Sequence, residues 1–295
     1  MKNILFLHGG PGLQSETERR VLTPFFEKAG ISATFWNEPS TLRTNSTIPF
    51  QSERAFSRLV ESAQIQLDAL AKDSGGSVHI VAHSFAARTA LLLANTNPEK
   101  VEMLTLLTPA VLIEATLRGV ISKAANNVQR RGDSSAAEKL RASLRFSVGS
   151  SELLGGLAEA FADPDTLSLY WRNAEAMNQW TEILQESTFG IDWTSQAAVM
   201  KDLEPQLKGL HHGLGEMSLN LPIQVLWGTH DQVIYLNDEL ELLSKIARVD
   251  RVFELKGTSH FSALEDPEQF LSAVTDFHHQ DKVHAASEDV TVFVR

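Results

Sequence analysis

The sequence predicts an α/β fold: a mostly parallel sheet with helices on both faces and a helical cap inserted between two of its strands. Two observations carry this. Short apolar runs of strand character alternate with segments of helical spacing near both ends of the chain, the pattern of βαβ units whose strands are buried on both faces. Between them, residues from about 110 to 219 show helical patterns and no strand, an interval too long for a loop in a compact domain. The core is therefore expected over 1–109 and 220–295, and the cap over 110–219.

Each element follows in order. Ile4–Leu7 is an apolar run that stops at glycines, and Ile31–Trp36 is a second, ended by Pro39; both read as buried strands. Residues 51–72 place Phe56, Leu59, Val60, Ala63, Leu67 and Leu70 on one helical face, and Gly75-Gly76 ends that helix. Ser77–Ala82 is a third strand, Ala86–Leu93 a helix, and Val101–Leu107 a fourth strand stopped by Pro109. Inside the interval, 112–130 and 165–187 read as helices, with turns expected at Arg131-Gly132-Asp133 and Gly155-Gly156. Strands resume at Ile223–Trp227 and Arg251–Leu255, and a last helix is expected to end near His278-His279. Beyond it, Val290–Val294 is β-branched or aromatic throughout. This suits a strand added to a sheet edge, in its own subunit or a partner's, which leaves a homo-oligomer open.

Composition narrows the function. The chain of 295 residues is 43% apolar and 21% charged, as expected of a soluble globular protein. Its net charge of −11 would repel phosphate backbones, which argues against a nucleic-acid partner. There are no cysteines, so disulfides, thiolate metal sites and a thiol nucleophile are excluded. The opening MKNILFLHGG is too short in apolar residues for a signal peptide, and no run reaches the length of a membrane span. A cytoplasmic protein is expected, in which the sequon Asn45-Ser46-Thr47 is chance. His211-His212 and His278-His279 are adjacent pairs that do not converge on a helix, so no metal site is expected.

The stretch VHIVAHSFAARTALLLA, Val78–Ala94, has the outline of a strand, a sharp turn and a helix, with Ser84 at the apex. A serine hydroxyl needs a base, an acid to orient that base, and donors for the oxyanion. Candidates follow later strands. Asp231 lies in Gly228-Thr229-His230-Asp231-Gln232 and His260 in Gly257-Thr258-Ser259-His260-Phe261, both where a parallel sheet gathers its sites. Ser84, Asp231, His260 is a known order for this triad. His8-Gly9-Gly10-Pro11-Gly12 follows the first strand and supplies backbone N–H groups. Gly10, with Gly9 its near alternative, and Phe85 are the expected oxyanion donors. Ala82 and Ala86 stand where glycine is usual; they are tighter but small enough. His83 and His230 flank catalytic positions and are candidates to line the pocket, while His79 is expected to pack inside its strand.

These motifs resemble those of the α/β-hydrolases, over residues 1–108 and 221–278. The resemblance implies a Ser84–His260–Asp231 triad, a capped fold and no cofactor. His8-Gly9-Gly10-Pro11-Gly12 also resembles the corresponding loop of proline iminopeptidases. Those enzymes usually carry Gly-Gly-Ser-Trp-Gly at the nucleophile, against Ala82-His83-Ser84-Phe85-Ala86 here, and use cap glutamates to hold the substrate amine. Glu175, Glu182 and Glu186 lie on a candidate cap helix, beside Trp171 and Trp180, and solvation is the simpler role for them. Trp171, Trp180, Phe161 and Phe189 are the bulky cap residues; Trp171 and Trp180 are candidates for substrate contact. The expected function is a serine hydrolase for a small, largely apolar ester, thioester or amide. A proline-iminopeptidase-like aminopeptidase, a carbon–carbon bond hydrolase and a non-turnover small-molecule receptor are the alternatives.

Overall fold

The computed structural model describes residues 2–186, 190–207, 214–215 and 217–284, with side chains described between residues 3 and 277. Phe189, His211-His212, the side chains of His278-His279 and the run Val290–Val294 lie outside what is described. Among the described residues six strands, β1 (Lys2–Leu7), β2 (Ile31–Trp36), β3 (Val78–His83), β4 (Val101–Leu107), β5 (Ile223–Gly228) and β6 (Arg251–Leu255), form one sheet in the order β2-β1-β3-β4-β5-β6. Every neighbouring pair is parallel. Each strand lies within a residue or two of its expected span; the inner strands are nearly continuous apolar runs buried on both faces, whereas the edge strands β2 and β6 are only partly buried.

Alternation along the strands sorts the helices. Leu5 and Leu7 of β1 pack with α2 (Ala55–Ser74), α3 (Ala86–Thr96) and α10 (Leu236–Ile246). Ile4 and Phe6 point the other way, against α1 (Glu16–Lys28) and α12 (Pro267–His284). Each side chain buried in this way contributes roughly 2 kcal/mol. Helix α1 adds to the expected elements: Ser15 with Glu18 and then Gly30 mark its two ends, while Pro24 in its interior disguises the helical pattern. Helix α2 starts at Ala55, later than the expected 51, because Arg54 adopts a left-handed conformation and Asp202 accepts from the N–H groups of Phe56 and Ser57. That acceptor is remote in sequence.

Between β4 and β5 the described residues form six helices: α4 (Ile113–Arg130), α5 (Ser134–Ser143), α6 (Ser151–Ala162), α7 (Pro164–Leu167), α8 (Ala174–Gln185) and α9 (Trp193–Leu207). The turn at Arg131-Gly132-Asp133 is present, and Asp133 caps α5. Two expectations are corrected here. Gly155-Gly156 is inside α6 and is no turn. A Cβ on Gly156 would sit 2.1 Å from Ser143 Oγ, so the glycine serves close packing of α5 on α6. The pattern 165–187 is two helices, α7 and α8, separated at 168–173 and restarted by Asn173, whose side chain accepts from Glu175 N and Ala176 N. Among the described residues no helix is long and apolar enough to cross a membrane.

Candidate active site

The strand order reverses direction of growth between β1 and β3, so the loops leaving these neighbours diverge to opposite faces and open a crevice at their carboxyl ends. Ser84 stands in that crevice. It follows the fully buried β3 at φ 53, and α3 begins two residues later. A non-glycine residue in the left-handed region is strained. The surrounding backbone holds it: Ser84 N donates to Leu107 O at 2.9 Å, while Ser84 O accepts from Ala87 N at 3.0 Å and Ala110 N at 3.1 Å. Ala82 and Ala86 are both buried, filling the places where strand and helix pass each other.

The two partners arrive on the loops after β5 and β6. Ser84 Oγ lies 2.9 Å from His260 Nε2, and His260 Nδ1 lies 2.9 Å from Asp231 Oδ2. The other carboxylate oxygen of Asp231 accepts from Val233 N at 2.7 Å and Ile234 N at 3.2 Å, which turns Oδ2 toward the imidazole. Gly228 lets the two loops meet, since a Cβ there would fall 2.2 Å from Ser259 O. The backbone of His260 is held as firmly as its ring. Its carbonyl accepts from Thr108 Oγ1 at 3.0 Å and from His83 Nε2 at 3.1 Å, and its N–H donates to Tyr170 O at 3.1 Å. Since His83 Nε2 faces a carbonyl, that nitrogen carries the proton. Burial, reinforced by the neighbouring His260, pushes the His83 pKa well below the usual histidine value and keeps the ring neutral.

Ser84, His260, Gly9, Gly10 and Phe85 line one cavity of about 100 Å³. A Cβ on Gly9 would lie 2.9 Å from His83 Nδ1, so the first loop passes close against the turn at Ser84. The far wall comes from the helical excursion: Leu117 of α4, Leu157 and Phe161 of α6, Trp180 of α8, and Trp193, Gln196 and Met200 of α9. Tyr170 and Phe261 complete it. None of the described lining residues is Asp, Glu, Lys or Arg.

The sequence-derived pocket residues divide. His83, Trp180 and Phe161 line the cavity. Trp171 does not: it is stacked on Phe261 with ring centroids 4.4 Å apart and packs behind the wall. His230 is exposed, and His79 is buried against Thr105 Oγ1 at 2.8 Å. Glu175, Glu182 and Glu186 are exposed, and Glu186 pairs with Arg20. Tyr170, Trp193, Gln196 and Met200 escaped the sequence reading. Only the helix-capping Asn173 hinted that the chain breaks near Tyr170.

Residues 44–267 match the alpha/beta hydrolase fold family. The chain belongs to that family. No curated protein matches this α/β-hydrolase sequence. Among solved structures, a proline iminopeptidase-related protein from Thermus thermophilus is 20% identical, with a TM-score of 0.62 over 94% of this chain and 89% of that one. A monoacylglycerol lipase from Paleococcus ferrophilus is 18% identical, with a TM-score of 0.55 over 93% of each chain. The 2-hydroxy-6-oxo-6-phenylhexa-2,4-dienoate hydrolase from a Rhodococcus species is 17% identical, with a TM-score of 0.57 over 94% of this chain and 90% of that one. At these identities the likeness is one of fold, and the chemistry of this α/β-hydrolase has to be argued from its own site.

Proposed function

We propose that the protein is a serine hydrolase for small, largely apolar, uncharged esters, thioesters or amides. The observation that carries this reading is the hydrogen-bonded chain from Ser84 through His260 to Asp231, opening on an apolar cavity. Ser84 Oγ attacks the substrate carbonyl as His260 Nε2 takes its proton. Asp231 holds the ring in the tautomer that leaves Nε2 free, and stabilises the imidazolium once it forms. The N–H groups of Gly10 and Phe85 receive the oxyanion, with Gly9 shaping the loop. His260 then returns the proton to the leaving group, and water attacks the acyl-enzyme by the reverse sequence. Helices α4–α9 act as a cap whose apolar side chains bind the acyl group. None of the described wall residues is a carboxylate that could pair with a substrate ammonium, which weighs against the aminopeptidase alternative.

The test is labelling with a fluorophosphonate, followed by turnover of a p-nitrophenyl ester series and of aminoacyl amides. One labelled serine is expected, lost in a folded Ser84→Ala variant, with multiple turnovers and a preference for short neutral acyl groups. Labelling that survives in folded Ser84→Ala would overturn the assignment. A single stoichiometric release without turnover would favour a receptor.

A further inference from the structure

The loop proposed to hold the oxyanion is gripped two residues beyond Gly10. Gly12 donates its N–H to Glu38 Oε1 at 2.8 Å. Its carbonyl accepts from Arg43 Nη1 at 2.9 Å and from Asp192 N at 2.8 Å. The three partners are tied to each other's neighbours. Glu38 Oε2 accepts from Ser195 Oγ at 3.2 Å, Arg43 Nη2 donates to Gly190 O at 3.0 Å, and Asp192 Oδ2 accepts from Thr44 N at 2.7 Å and Thr44 Oγ1 at 2.8 Å. Asp192 Oδ1 meanwhile caps α9, accepting from Thr194 N at 3.1 Å and Ser195 N at 3.0 Å. Glu38, Arg43, Asp192 and Ser195 are all buried. Contact is close enough that a Cβ on Gly12 would lie 2.6 Å from Asp192 O. One wall of this grip is the loop after β2; the other is the start of α9, whose Gln196 and Met200 line the cavity.

We propose that Glu38, Arg43 and Asp192 are positioning residues: by fixing both peptide groups of Gly12, they aim the Gly10 N–H at the oxyanion and make that aim depend on the docking of α9. The proposal rests on the serine-hydrolase reading. Its energetic sense is plain. Burial pushes the Glu38 carboxyl up to about 7, opposed by the Gly12 N–H and by Arg43, and keeping so costly a group buried suits a role in holding geometry. The oxyanion exists only in the transition state, so a misaimed donor lowers kcat and leaves KM alone. A purely structural cluster would lower the melting temperature and leave kcat per active site unchanged.

Glu38→Gln keeps an acceptor for Gly12 N–H, and its amide can donate to Ser195 Oγ; Glu38→Ala leaves Gly12 N–H without an acceptor. Steady-state kinetics on the best ester are normalised to titrated active sites. Glu38→Gln is expected to keep kcat within about threefold, and Glu38→Ala to lose roughly 100-fold in kcat with KM within about twofold, the scale of one oxyanion donor. Arg43→Lys retains the charge but cannot bridge Gly12 O and Gly190 O, and should lose roughly tenfold in kcat. It decides the matter if Glu38→Ala does not fold. Wild-type kcat in folded Glu38→Ala or Arg43→Lys, or equal losses in Glu38→Gln and Glu38→Ala, would overturn the positioning role. A wild-type protein inert to both fluorophosphonate and esters would instead overturn the serine-hydrolase reading beneath it.

Discussion

Thr108 is a β-branched residue at φ 40, just past the end of β4, and its hydroxyl reaches the carbonyl of His260. Strain of this kind persists only where neighbours over-determine it; here Thr108 N is held by Leu226 O at 2.7 Å. Thr108→Val keeps the shape and removes the hydroxyl. It should cost about 1 kcal/mol of stability and a several-fold loss of kcat, read by urea unfolding and ester turnover; unchanged turnover would show that His83 alone suffices to hold the His260 carbonyl. Glu18 on α1 offers a second test, away from the site. It is buried, and desolvation raises its carboxyl to about 7 against the weaker pull of a backbone hydrogen bond. The folded protein therefore binds this proton more tightly than the unfolded chain. Its contribution to stability is fully present below the ordinary glutamate pKa and is lost as pH rises through about 7. Glu18→Gln should accordingly raise the melting temperature at pH 8 more than at pH 5. An equal shift at both would mean that the carboxyl is not neutral in the fold.

Two adjacent glycines in α6 show how element packing decides what a residue does. Nothing lies within 4 Å of a Cβ added at Gly155, whereas one at Gly156 would collide with Ser143. Gly155→Ala should stabilise by roughly 0.5–1 kcal/mol through helix propensity alone. Gly156→Ala should destabilise by about 1–3 kcal/mol, because α5 and α6 must part. Chemical denaturation of the pair checks the sign of each. The break between α7 and α8 has a comparable cause. Tyr170 O takes the N–H of His260, and the Glu265 carboxylate on α11 (Ser262–Glu265) takes the N–H groups of Arg172, Asn173 and Ser259. Segment 168–173 leaves the helix in order to brace the histidine loop.

Across the whole molecule, the helices between β4 and β5 share their described core with the sheet and its loops. Val199, Met200 and Leu203 of α9 pack in the cluster that covers one face of the sheet, and Trp171 and Trp180 in the cluster on the other. The cluster among α4, α5 and α6 takes in Val233 and Ile234 from the loop that carries Asp231. Unfolding should therefore be one transition. Of the five tryptophans, Trp171, Trp180 and Trp193 lie in the excursion and Trp36 and Trp227 outside it, so tryptophan fluorescence and far-UV circular dichroism should trace the same denaturation curve. Separated midpoints would reveal an independently melting cap. Trp180 both lines the cavity and packs against Trp171 and Phe261. Trp180→Ala should thus shift preference among acyl chains and also cost about 3–5 kcal/mol of stability, read from the ester series and from denaturation.

Strand identity, the run of helices between β4 and β5, and the position of Ser84, Asp231 and His260 just after three strands are legible in the chain. Their signals are local: continuous apolar runs, glycine and proline stops, and short motifs directly after a strand. A parallel sheet converts that local rule into a shared site, since every strand delivers its following loop to the same edge. What only the tertiary structure decided depends on contacts between segments remote in sequence. The start of α2 waits on Asp202, the split of α7 from α8 on Tyr170 and Glu265, and the glycine pair of α6 on Ser143. Trp171 and Trp180, alike in sequence, part company because one stacks on Phe261 behind the wall while the other reaches the cavity. The grip on Gly12 joins residues 38, 43 and 192. No periodicity marks such a meeting, because side-chain hydrogen bonds depend on the final approach of elements and not on spacing along the chain.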